Sequence, residues 1–280
     1  MDAKVVAGHV RNLSYGDDAA KERAARALWA FLGALQEPSE EIIVIAAAGA
    51  IPILIDIIRT GAAKHYALGA LANLARGPSV IRDAVAAAGG PNGSIALFVE
   101  FMRSGSEYQK EYAATALVNL AKDSDERKIA ITTAGALPPA IELARSGGDR
   151  AKEYAAALLR SLACHKDNGV AIALAGGIPV LVALEESLPA AAKSHAAEAL
   201  ENLAHDNVDI ELRIATTRGT AALVDMARHG GFFERDASKD AAARLLAERR
   251  RVIVHKCVDG KVPAELEPTI AACLARRGFS

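Results

Sequence analysis

Three asparagines recur in one local pattern. Asn73, Asn119 and Asn202 stand in LGALANLA (68–75), TALVNLA (115–121) and EALENLA (198–204), and Ser161 takes the same place in ALLRSLA (157–163). A side-chain amide carries two N–H donors and a carbonyl acceptor, so a row of them suits the C=O and N–H groups of an extended peptide backbone without reading its side chains. Seven residues before these positions stand Tyr66, Tyr112, Tyr154 and His195, and four before stand Gly69, Thr115, Ala157 and Glu198. A tyrosine gives a ligand an apolar ring with a polar tip. Three residues after them come Arg76, Lys122, Cys164 and His205. This row is a candidate basic rim for acidic or phosphorylated groups, although cations near helix C-termini also complement the helix dipole whatever the function.

Other reactive residues form no catalytic pattern. Cys164 and His165 are adjacent, and neighbours on a helix diverge by about 100°, which keeps the thiol from the imidazole. The histidines lack an i, i+4 ligand pair with a second cluster, so no metal is expected. The turn GGPNGS (89–94) could offer free amides to an anion, but it lacks the Lys-Ser/Thr ending of a nucleotide loop and follows a helix. No carboxylate pair, activated nucleophile or cofactor loop is found, so neither an enzyme nor a cofactor is expected. Arg249, Arg250 and Arg251 read as a solvated helix end. Phe232 and Phe233 either cover the last repeats or stand exposed as an anchor.

The 280 residues hold 33 Lys plus Arg against 34 Asp plus Glu, a formal net charge of −1, which argues against a broad nucleic-acid or anionic-membrane surface. Cys164, Cys257 and Cys273 are odd in number and widely spaced, which fits a reducing compartment. No apolar run reaches the roughly 18 residues of a membrane span, and the N-terminus lacks signal-peptide character. The expected location is cytoplasmic, with the nucleus as the second choice.

The elements that position these rows follow from the repetition. Positions 73, 119, 161 and 202 are 46, 42 and 41 residues apart, a period that means stacked helical units. In the clearest unit, Asp125 to Cys164, turn residues divide a short helix, a second helix and a longer third one. Gly135 and Gly147 are expected to end helices with positive φ, and Pro138 is tolerated in a first turn. On the third helix, the residues two, five and six before the Asn position are Leu or Ala, for example Leu117, Ala114 and Ala113, so that side is core. The Asn side is then expected to be open.

The small-Gly-x-Pro start of the second helix, its aliphatic body, and a third helix ending in Ala-Leu-x-Asn-Leu-Ala closely resemble the armadillo repeat, over nearly the whole chain. Catenin-like and vacuolar-type members are nearest in character. Gly69, Thr115, Ala157 and Glu198 stand where the nuclear-import adaptors of that family carry Trp, a departure from import-signal binding. The resemblance implies an all-α, right-handed α-solenoid superhelix. Its expected layout is a partial repeat at 1–36, repeats at 37–77, 78–123, 124–165, 166–206 and 207–250, and a partial repeat at 251–280. It also implies a non-enzymatic scaffold whose third helices line a concave groove for extended segments of partner proteins. Two alternatives stand beside this reading. One is a structural or self-associating solenoid that works through another surface; the other, ranked last, is an RNA-binding helical repeat.

Overall fold

The computed structural model describes residues 3–35, 40–61, 63–90, 93–185 and 190–205, and beyond these only 207, 210, 213, 214 and 217. The chain divides into two compact units, Met1–Ile210 and Glu211–Ser280. The expected repeats after 206, Phe232 and Phe233, and Arg249 to Arg251 lie outside the described residues, as do Pro91 and Asn92 of the glycine-rich turn.

Fourteen helices and no strands occur among the described residues. A leading pair, α1 (Ala3–Tyr15) and α2 (Asp18–Ala34), is followed by α3 (Glu40–Ala47), α4 (Ala50–Thr60) and α5 (Lys64–Leu74). Next come α6 (Ser79–Ala87), α7 (Gly93–Ser104) and α8 (Glu107–Ala121), then α9 (Asp125–Thr133), α10 (Leu137–Ser146) and α11 (Asp149–Ala163). The last triplet is α12 (Lys166–Leu174), α13 (Gly177–Glu185) and α14 (Ala190–Ala204).

Local chemistry sets the helix ends. Asp17 accepts from the Ala20 amide at 2.7 Å to start α2, and Ser106 with Gln109 forms a capping box on α8. Pro138 and Pro139 fill the first turn of α10, where their missing donors cost nothing. Gly135 has φ of +82°, as its helix-ending place requires. Gly147 does not: its φ is −68°. Glycine is needed there because a Cβ would lie 2.6 Å from the Leu143 carbonyl oxygen, a clash between turns and not a left-handed backbone.

The third helices α2, α5, α8, α11 and α14 pack side by side in chain order, with second helices α7, α10 and α13 forming the adjoining layer. Ala113, Ala114 and Leu117 are fully buried, as their side of α8 demands. Alanine at these contacts lets neighbouring helices approach closely.

A pair of arginines joins successive first helices. Buried Arg82 of α6 donates to the Gly77 carbonyl at 2.9 Å and to Asp123 Oδ2 at 3.1 Å. Buried Arg127 of α9 repeats the geometry: it donates to the carbonyls of Lys122 at 2.7 Å and Leu120 at 2.6 Å, and it pairs with Asp83 of α6. Arg127 thus satisfies carbonyls at the end of α8, and Arg82 a carbonyl in the turn that follows α5. Asp123 holds φ at +54°, a conformation that Asp tolerates better than most residues.

Candidate functional site

The three asparagines make one contact in common. Asn73 donates through Nδ2 to the Trp29 carbonyl at 3.3 Å, Asn119 to the Ala72 carbonyl at 3.0 Å, and Asn202 to the Arg160 carbonyl at 3.4 Å. Every acceptor lies on the preceding third helix, one residue before that helix's own Asn position. Ser161, whose side chain is shorter, turns back to the Ala157 carbonyl of its own helix at 2.9 Å. The Asn row is therefore a clasp between repeats. The carbonyl oxygen of each amide remains for other partners, as does the second N–H of Asn73, whereas Asn202 Nδ2 also donates to Cys164 Sγ at 3.4 Å.

The expectation of an open Asn side is corrected at Asn119, which is only 5% exposed. Asn73, Asn202 and Ser161 are half-buried. A helical wheel does not include the neighbouring helix, and it is α5 that covers Asn119.

Tyr66, Tyr112, Tyr154 and His195 are half-buried along consecutive third helices α5, α8, α11 and α14. Burial raises the Tyr112 hydroxyl pKa, and burial likewise raises the carboxyl pKa of Glu111, against the pull of Arg150, 3.9 Å away. Arg150 also donates to the Tyr154 hydroxyl at 3.4 Å and lies 5.9 Å from that ring's centre. Thr115 is half-buried and its hydroxyl donates to the Glu111 carbonyl at 2.8 Å, so toward a ligand its oxygen can only accept.

At α14, Arg160 Nη1 reaches Glu198 Oε2 at 2.9 Å and His195 Nδ1 at 3.2 Å. Because a guanidinium only donates, Nδ1 accepts and the neutral ring carries its proton on Nε2. Burial first, and Arg160 second, lower the His195 pKa, with Glu198 and Glu153 opposing. Among the candidate rim residues, Arg76 donates to the Leu35 carbonyl at 3.1 Å, while Lys122 and His205 are exposed.

Trp29 was not among the residues singled out from the sequence. Its ring centre lies 5.6 Å from that of Tyr66 and 6.1 Å, edge-on, from that of Tyr112, so α2, α5 and α8 each give one ring to a single aromatic cluster. Gly69 makes the room: a Cβ there would lie 2.5 Å from Trp29 Cδ1. The signal in the sequence was the lone tryptophan of the chain, one residue before Ala30 in the Asn register.

No protein-family model matches this sequence, and neither does any curated protein. Solved structures do match. An engineered protein superimposes with a TM-score of 0.71 at 27% identity, over 88% of this chain and 98% of its own. A computationally designed armadillo repeat protein for modular peptide recognition gives 0.71 at 21% identity, over 85% of this chain and 98% of its own. The fold is the armadillo repeat. A further designed armadillo repeat protein, solved in complex with the peptide (KR)4, matches at a TM-score of 0.69 and 21% identity, over 85% of this chain and 98% of its own. In armadillo terms, the described helices are a leading α1–α2 pair and four three-helix repeats, with α2, α5, α8, α11 and α14 as the third helices.

Proposed function

We propose that this chain is a non-enzymatic scaffold that holds extended segments of other proteins along the third helices. The reading is carried by the half-buried ring row of Tyr66, Tyr112, Tyr154 and His195 on helices stacked in chain order. Stacked helices lie about 8–10 Å apart and an extended peptide advances about 3.3 Å per residue, so each helix meets the ligand every second or third residue. The rings supply apolar contact, and the free carbonyl and N–H of Asn73 and the free carbonyl of Asn202 suit peptide units beside them. A structural relative designed for peptide recognition adds support.

The test is selection of extended peptides from a displayed random library, followed by titration against the wild type and the Tyr112→Ala/Tyr154→Ala variant. The variant is expected to lose at least about tenfold in affinity, a normal loss for truncated aromatic anchors, with its helical circular dichroism unchanged. Equal affinity for a correctly folded variant rules the groove out.

A further inference from the structure

We infer that His195 is a one-way hydrogen-bond donor of the groove, held in that state by Arg160, and that a bound segment meets it with a carbonyl oxygen. This contact rests on the peptide-groove reading and assigns His195 and Arg160 their parts within it.

A chain of side chains runs from α14 to α11 and back. Ser194 Oγ donates to Glu198 Oε1 at 3.2 Å, Arg160 Nη1 donates to Glu198 Oε2 at 2.9 Å, and the same Nη1 lies 3.2 Å from His195 Nδ1. Glu198 therefore orients the guanidinium, and the guanidinium, which cannot accept, orients the ring. The main chain at Arg160 is tied to the same joint. Its carbonyl accepts from Asn202 Nδ2 at 3.4 Å and from Cys164 Sγ at 3.5 Å.

With Nδ1 turned to α11, the proton sits across the ring on Nε2. Among the described residues no acceptor takes it, and Nε2 is not sealed in. The buried side-chain atoms without a partner are Arg82 Nε, Thr132 Oγ1, His165 Nδ1 and Asn168 Nδ2. The half-buried ring thus offers an accessible N–H in the row that Tyr66, Tyr112 and Tyr154 begin. A tyrosine hydroxyl gives or takes a hydrogen bond, whereas this imidazole can only give. Glu198 already answers the charge of Arg160, so a ligand carboxylate finds no unopposed cation there. A main-chain carbonyl, or that of Asn or Gln, needs only the donor. Burial first, and Arg160 second, keep the ring neutral by lowering its pKa.

The experiment uses the full chain and has two arms. In the first, long-range proton–nitrogen NMR near neutral pH reads the tautomer without any ligand, the His195 signals being assigned by their loss in His195→Gln. Wild type is expected to show Nε2–H alone, and Arg160→Met to relax toward the mixture of free imidazole. An Nδ1–H ring in the wild type, or signals unmoved in Arg160→Met, overturns the role of Arg160. In the second, a peptide selected from the displayed library is titrated against variants with unchanged circular dichroism. His195→Phe, which keeps a ring and loses the donor, should bind about fivefold more weakly, the worth of one hydrogen bond. His195→Gln, which returns an amide N–H, should recover most of that loss. Equal affinity for His195→Phe and wild type, with binding still lost in Tyr112→Ala/Tyr154→Ala, overturns the His195 contact and leaves the groove standing. An acidic peptide that is weakened by Arg160→Met and not by His195→Phe also overturns it, because Arg160 is then the residue that holds the ligand. Failure to select any peptide overturns both readings.

Discussion

The side-chain amide of Asn119 donates to the main-chain carbonyl of Ala72, 47 residues earlier, at 3.0 Å. Ala72 lies in the last turn of α5, where carbonyls have no partner within the helix. Asn119 therefore caps a helix it does not belong to, and repeat-to-repeat stability and the supply of amides to a ligand compete for the same side chain.

Asn119→Ala is expected to destabilise the protein by about 1–3 kcal/mol, because it removes a buried hydrogen bond and leaves the Ala72 carbonyl unsatisfied. Asn73→Ala should cost less, since Asn73 is half-buried and its bond is longer, at 3.3 Å. Urea denaturation of the two variants checks the order. Equal midpoints would mean that burial of the clasp is irrelevant to the stack.

Gly69→Val should push the indole of Trp29 off α5 while the helices persist. The new Cβ lies too close to Cδ1 for both to stay, but the indole can turn outward. Trp29 is the only tryptophan, so intrinsic fluorescence reports on this cluster alone, and its emission should move to the red. An unmoved maximum in a folded variant would show that the indole does not rest on Gly69.

His195 sets a pH dependence. Its folded pKa lies below the ordinary 6.5, so the folded state binds protons less readily than the unfolded one. Its cost is absent above the unfolded value and grows as pH falls through 6.5 toward the lowered folded value. The charged groups facing it are Arg160, Glu198 and Glu153. His195→Gln should flatten the acid side of the stability curve between about pH 7 and pH 5, read by denaturant melts. An identical slope in the variant rules out His195 as the source.

The repeat was legible because its core is. Leucine and alanine fixed on one side of α8, as at Leu117 and Ala113, force that side inward whatever surrounds it. The site was legible in its rows but not in its contacts. Tyr66, Tyr112 and Tyr154 could be aligned by register, whereas Trp29 belongs to no row: the equivalent residues are Ala72, Val118, Arg160 and Glu201. Its place depends on an absent Cβ at Gly69, in another repeat. The inward turn of Asn119 likewise depends on where the Ala72 carbonyl comes to lie, which only the stacking of α5 on α8 determines.

Arg82 and Arg127 each bind a carbonyl five residues upstream and an aspartate distant in sequence, Asp123 at the far end of the same repeat for Arg82 and Asp83 of the preceding repeat for Arg127. Five residues after Cys164, where a third such arginine would sit, stands Gly169, facing Leu203. In a stack held by nearest-neighbour interfaces, stiffness is as uneven as the joints. The guanidinium brace across α6 and α9 therefore has no counterpart at the start of α12, where the joint rests on the packing of α11 against α14 instead.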